Sequence, residues 1–214
     1  PIFLAASPCA PAVASDPPRA GIEDALARAA AYLAGRQSTD GAWRSDAYGC
    51  FREVPVLTPY VMSALFFLSS GDDDDVRKSF RRGVDYLVAM VAEDGTIREG
   101  PRGFNFPVYT ATMASRVVML DAKTDERRLM QAAWLAYVRR RQLTEQLGWS
   151  PGDPEYGGWG FALDLPRKPP AGEARPPFVE SNLAATIFGL AALRSARVPL
   201  DDPAWRAALV FVER

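Results

Sequence analysis

The chain has 214 residues, of which 48% are hydrophobic and 11% aromatic, so it can bury a substantial core as one domain or as part of a larger one. Lysine and arginine number 25 against 26 acidic residues, and no segment gathers enough basic side chains to follow a phosphate backbone. Histidine is absent and only Cys9 and Cys50 are cysteines, which excludes most zinc sites and any cysteine–histidine nucleophile. We therefore predict no nucleic-acid partner, no metal and no cofactor.

The first segment resembles the end of a secretory signal. Residues 1–15 are apolar and small, include the string AVA and are followed by an aspartate. This pattern predicts a signal-peptide remnant or a disordered leader, and an exported protein in the periplasm or outside the cell. Whether Cys9 is lipidated stays open, although the residues before it, Ala6, Ser7 and Pro8, form a poor sequence context for lipidation. The sequence lacks an initiating methionine, so we expect a fragment that starts inside the encoded protein.

No membrane span is predicted. The longest uncharged run, VPVLTPYVMSALFFLSSG, contains two prolines and several hydroxyl groups.

A repeated pattern is centred on the aromatic residues Tyr32, Tyr86, Tyr137 and Phe211. Each copy begins with an amphipathic segment whose apolar residues follow helical spacing. In the first two copies these residues are Ile22, Leu26, Ala29, Ala30 and Leu33, and Phe80, Val84, Leu87, Val88 and Val91. A second segment, apolar nearly all round and therefore expected to be buried on every side, follows in the first three copies.

This alternation predicts an all-α repeat domain over residues 20–214, with half-exposed outer helices and enclosed inner ones. The predicted repeats span residues 20–70, 72–121, 124–198 and 201–214. We expect the last copy to be truncated, because its predicted helix reaches Arg214 without a cap or a glycine.

Short motifs in these copies carry a family resemblance. The strings RQSTDGAW and YGGWGFALD resemble the repeats of the squalene cyclase and prenyltransferase superfamily, and more specifically exported, uncharacterised squalene-cyclase-like repeat proteins. The resemblance implies an α/α toroid, here an incomplete ring of about three and a half helical hairpins. It also implies a structural role for the repeat motif, in which Gln37 caps a helix end and stacks on Trp43. The motif residues are Gln37, Asp40, Gly41, Trp43, Asp94 and Gly95.

The string SSGDDDDVRKSF contains Asp-x-Asp-Asp, the acid motif of class II terpene cyclases. In those enzymes the acid points into an enclosed cavity, whereas Asp72–Asp75 precedes a predicted outer helix at a repeat boundary. An aspartate there caps the helix and favours the positive end of its dipole. We predict that the run lies at an exposed helix N-terminus; a surface calcium site is the alternative.

Other acids flank the YGGWGF string. Asp153, Glu155 and Asp164 are weak catalytic candidates, because paired carboxylates near an aromatic platform can serve acid–base chemistry on a sugar. Carboxylates beside proline and glycine are also ordinary turn formers.

Five residues are weak candidates for ligand binding. Glu180 and Asn182 open an inner helix, where helix capping is the competing role, and three aromatic residues could line a cavity or fill the core. The aromatic candidates are Tyr60, Tyr109 and Trp159. Cys50 is expected to be a small buried or half-buried residue.

The sequence therefore favours an exported repeat domain that binds an apolar small molecule, a polysaccharide or a protein, with no catalytic residue identified. One alternative is an isoprenoid cyclase whose acid lies outside this sequence. The other is a carbohydrate-active α/α-toroid enzyme that uses the loop acids.

Overall fold

The chain folds into consecutive pairs of α-helices. The computed structural model describes residues 19–52, 55–68, 74–99, 103–121 and 124–214. Within those ranges there are seven α-helices and one small antiparallel sheet, so the all-α prediction is confirmed. Three of the sequence predictions fall outside the described residues. They concern the leader at residues 1–15, the aspartates Asp72 and Asp73, and the side chain of Cys50.

The helices are α1 (Arg19–Gly35), α2 (Leu57–Leu68), α3 (Asp74–Ala89), α4 (Pro107–Asp121), α5 (Asp125–Arg139), α6 (Leu183–Ser195) and α7 (Pro203–Val212). Strand β1 (Trp159–Gly160) pairs with β2 (Ser181–Asn182), with Trp159 opposite Asn182 and Gly160 opposite Ser181. Two single-turn 3-10 helices span Gly49–Phe51 and Glu145–Leu147. The long segment between α5 and α6 thus holds the sheet and one of the short helices.

Helix α4 lies at the centre of the packing. It contacts α2, α3, α5 and α6, and the small side chains Ala111 and Ala114 are completely buried in these contacts. Arg116 is the one exposed side chain among its described positions. The prediction of a helix enclosed on every side is therefore confirmed for α4.

The same prediction is wrong for α2 and α6. Phe67 of α2 is 64% exposed, and Leu183 and Ile187 of α6 are 60% and 61% exposed. Leu183 and Ile187 are one helical turn apart and lie on the same exposed face of α6.

The outer helices differ in how well they bury their apolar face. In α3, Phe80, Val84 and Leu87 are buried while Arg81 and Asp85 are exposed, as helical spacing predicts. In α1 the expected buried face is mostly exposed, and the first residue of it to be buried is Ala30. Helix α1 therefore packs on α2 and α3 through its C-terminal half.

Polar side chains mark the helix starts. The Thr124 hydroxyl accepts a hydrogen bond from the first turn of α5, and Asp202 caps α7 with Pro203 as the first helical residue. Asp74 and Asp75 lie exposed in the first turn of α3. The predicted helix-start role of the aspartate run is confirmed for these two residues.

Candidate functional site

The repeat motif of the first copy connects two helix pairs. The Gln37 amide donates to the carbonyl oxygen of Gly41 and to that of Ser79 in α3, both at 2.8 Å. Gly41 has a φ of +93°, and a Cβ atom there would overlap the carbonyl oxygen of Arg82. Gln37 and Gly41 thus bring the loop after α1 into direct contact with α3.

Trp43 fixes the same loop to both helices of its own pair. Its indole N–H donates to the carbonyl oxygen of Leu33 at 2.7 Å, and its backbone N–H donates to the Thr58 hydroxyl at 2.9 Å. The side chain is 2% exposed. Asp40 accepts from the backbone N–H of Ala42 and from Arg44, and the hydrogen bond from Arg44 lowers the pKa of Asp40.

The second copy keeps the turn without these connections. Asp94 accepts hydrogen bonds from the backbone and hydroxyl of Thr96, which lower its pKa. Gly95 has a φ of +78°, but a Cβ atom there would meet no other atom. Val91 and Ile97, at the positions of Gln37 and Trp43, pair as an isolated β-bridge instead.

The same connection recurs in the third copy of the repeat, where it was not predicted. The Gln142 amide donates to the carbonyl oxygens of Gly157 and Ala204, at 2.8 and 2.9 Å. The Trp159 indole donates to the carbonyl oxygen of Val138 at 2.9 Å, within the core. Of the two roles considered for Trp159, a cavity wall or the core, the structure shows the core, where the indole connects the third helix pair.

Two of the three candidate loop acids form ion pairs with nearby basic side chains. Asp153 accepts from Ser150 and forms an ion pair with Lys168 at 2.7 Å, and Lys168 is the main reason why its pKa falls to about 2. Glu155 is buried and paired with Arg175. Asp164 is exposed and lies in the turn after Phe161. At neutral pH Asp153 is ionised and cannot act as a general acid.

The two polar candidates at the start of α6 have different surroundings. The Asn182 side chain accepts a hydrogen bond from the backbone N–H of Ala185 at 2.8 Å and so caps α6. The Glu180 side chain is exposed, and its backbone carbonyl packs closely on Gly160. Neither lines the cavity described next.

Two of the predicted ligand-binding residues, Tyr60 and Tyr109, face one cavity of about 360 Å³. It lies at the N-terminal ends of α2 and α4. Ligand pockets in proteins commonly range from about 300 to 1,000 Å³. The wall consists of Phe51, Val56, Leu57, Tyr60, Phe106, Tyr109 and Phe161, and none of these described residues carries a charge.

The aromatic rings of this wall contact one another. The rings of Tyr109 and Phe161 are stacked at 5.5 Å with an interplanar angle of 12°, and Phe106 meets Tyr109 edge-on at 6.4 Å. Phe51 packs against Phe106 at 5.9 Å, and Phe188 of α6 lies behind Tyr109 at 4.2 Å. The cavity therefore has a wall of contacting aromatic rings, and this wall packs against the core.

Both tyrosines of the wall stay neutral. Burial raises the pKa of Tyr60, and the neighbouring Tyr109 raises it further. Burial also raises the pKa of Tyr109. Because both pKa values lie above the usual range for a phenol, the wall presents no negative charge to a ligand at neutral pH.

Sequence reasoning missed Phe51, Phe106 and Phe161. All three stand outside the α-helices, so helical periodicity does not select them. No local pattern that the three residues share marks them, although Phe51 and Phe161 each lie within two residues of a glycine.

Comparisons with known proteins do not identify a family. No protein-family model matches the chain, and a search of curated proteins found no similar sequence.

Among the residues that the structure describes, no group of three or more acidic or cysteine side chains is arranged to hold a metal ion. No described helix is both long enough and apolar enough to cross a membrane.

Proposed function

We propose that the chain is a repeat domain of the squalene cyclase and prenyltransferase type and that it binds an uncharged, apolar ligand in the cavity between α2 and α4. The observation that carries this proposal is the aromatic wall, which contains Tyr60 and Tyr109 and no charged side chain. An uncharged ligand gains apolar burial there, while a charged ligand would lose its hydration without gaining a counter-ion.

We propose that the helix pairs belong to an α/α toroid. Support comes from the order of the helices, since α4 follows α2 and α6 follows α4 as neighbours, with α3 and α5 between them in sequence. The matching hydrogen bonds of Trp43 and Trp159 add a repeated connection. Export remains part of the proposal and rests on the composition of residues 1–15.

Fluorescence titration with N-phenyl-1-naphthylamine, an uncharged aromatic dye, tests the proposal. We expect saturable binding to one site and no competition from polygalacturonate. Tyr109→Ala should weaken binding because it removes the ring at the centre of the wall. Tyr32→Ala is the matched control, since Tyr32 is exposed on α1 and should leave binding unchanged. Equal affinities for the two variants, or no dye binding by the unmodified chain, would refute the proposal.

The aromatic wall also supports an isoprenoid cyclase as a second candidate, because aromatic faces stabilise cations. In this candidate the acid comes from outside this sequence, since the two described aspartates of the run, Asp74 and Asp75, are exposed on α3. Because the acid of this candidate lies outside this sequence, incubation of squalene with the full-length protein, followed by gas chromatography of the extract, distinguishes the candidates. Unchanged squalene supports the binding domain, and a cyclised product supports the enzyme.

A further inference from the structure

Arg141 is a buried arginine close to the cavity but outside its wall. It lies two residues after the end of α5 and is 3% exposed. One terminal nitrogen donates to the carbonyl oxygens of Ala162 and Asp164, at 3.1 and 3.0 Å, and the other donates to that of Leu163 at 2.9 Å. The planar guanidinium group therefore binds three consecutive carbonyl oxygens of one loop.

The residue that precedes these carbonyls is Phe161, whose ring stacks on Tyr109 in the cavity wall. On its other side, Phe161 follows strand β1, which is paired with β2. The backbone is thus held on both sides of Phe161, by the sheet before it and by Arg141 after it. A change at either place would move the ring relative to Tyr109.

Further contacts hold the guanidinium group itself. Arg141 lies over the ring of Tyr137 at 4.8 Å, and its charge faces Glu99 at 3.7 Å. Arg140 binds the same carboxylate at 2.8 Å. A buried charge needs a counter-ion and hydrogen bonds, and Glu99 and the three carbonyl oxygens supply these at the terminal nitrogens of Arg141, although its Nε–H has no hydrogen-bond partner among the described residues. These contacts fix the orientation of the guanidinium group.

We infer that Arg141 is a positioning residue that sets the shape of the apolar cavity by holding Phe161 against Tyr109. This inference rests on the proposed ligand-binding function. A lysine keeps the charge but presents a single ammonium group, which cannot bind three carbonyl oxygens in one plane. Arg141→Lys should therefore release the loop after Phe161 without adding or removing a charge.

A double-mutant cycle with N-phenyl-1-naphthylamine tests this role. We expect Arg141→Lys and Phe161→Ala each to raise the dissociation constant by at least about threefold, which is within the usual range for residues that act through one another. In the double variant the dissociation constant should equal that of Phe161→Ala alone. Arg141 acts through the Phe161 ring, and Phe161→Ala has already removed that ring. Arg139→Lys is the matched control; Arg139 pairs with Asp202 at the start of α7 and should leave the constant unchanged.

The possible outcomes separate the two proposals. Additive effects of the two substitutions, or a lower melting temperature of Arg141→Lys with unchanged dye affinity, would overturn the positioning role and leave the proposed function intact. Absence of dye binding by the unmodified chain would overturn both. If Arg141→Lys does not fold, Arg141→Gln takes its place in the cycle with the same expected result.

Discussion

Trp43 and Trp159 make the same two hydrogen bonds in two different helix pairs. Each indole N–H donates to a backbone carbonyl at the end of an outer helix, at 2.7 Å for Trp43 and 2.9 Å for Trp159. Each backbone N–H donates to a threonine hydroxyl of the following inner helix, Thr58 or Thr186. The glutamines that accompany them, Gln37 and Gln142, each bind a carbonyl of the next outer helix. These connections join consecutive helix pairs.

Gln142→Leu should lower the free energy of unfolding by about 1–3 kcal/mol, because it leaves the buried carbonyl oxygens of Gly157 and Ala204 without a donor. Urea denaturation measures this change. Gln146→Leu is the matched control, as Gln146 is exposed, and it should shift the value by less than about 0.5 kcal/mol. Equal effects of the two substitutions would show that Gln142 does not connect the helix pairs.

Gly157→Ala should destabilise the protein far more than Gly172→Ala. Both glycines have a φ of +88°, but a Cβ atom at Gly157 would overlap the backbone of Ala207, whereas one at Gly172 would meet nothing. Backbone strain alone costs about 1–2 kcal/mol at Gly172. The added overlap should take the loss at Gly157 beyond about 4 kcal/mol. Similar urea midpoints for the two variants would contradict the close approach of α7.

The carboxyl group of Asp153 should titrate with a pKa of about 2, well below its ordinary value of 3.8. A lowered pKa means that the ionised form is favoured in the folded state, so its stabilising effect is present above the ordinary value and is lost as the pH falls through about 2. Lys168→Met should move the pKa back toward 3.8, as carbon-13 NMR of the carboxyl group would measure. Lys78→Met, which affects the ion pair at Asp75 instead, should leave Asp153 unchanged.

Replacing Asp74 and Asp75 together by asparagine should leave the affinity for N-phenyl-1-naphthylamine unchanged. Both side chains are exposed and pair with Arg77 and Lys78 on the surface of α3. The measurement is the dye titration, with the melting temperature as a check on folding. Weaker dye binding by a folded double variant would indicate that the aspartate run belongs to the ligand site.

The buried face and the start of a helix could be predicted where the spacing of apolar residues and the capping residues determine them. The spacing of Phe80, Val84 and Leu87 predicts the buried face of α3, and the aspartates before it predict its start. The exposed faces of α1 and α6 could not be predicted, because burial of an apolar face depends on which other helix covers it. That information lies outside the helix itself.

The same reasoning explains which functional residues were found. Tyr60 and Tyr109 stand on predicted inner helices, so their place in a cavity wall could be anticipated. Phe161 could not, because its position depends on the sheet and on Arg141. The role of Trp159, in a cavity wall or in the core, was left open because the longer loop between Gln142 and Gly157 hides its correspondence to Trp43. The pattern Arg-Gln followed by Gly-x-Trp, which both copies share, is the signal that identifies it.

The central claim is that the cavity between α2 and α4 binds an uncharged apolar ligand. The most direct measurement compares the dissociation constants of N-phenyl-1-naphthylamine for Leu57→Trp and Leu129→Trp. Leu57 lines the cavity, so a tryptophan there fills part of it, whereas Leu129 is exposed on α5. We predict at least about tenfold weaker binding for Leu57→Trp, equivalent to about 1.4 kcal/mol, and unchanged binding for Leu129→Trp. Unchanged binding by both variants would contradict the claim.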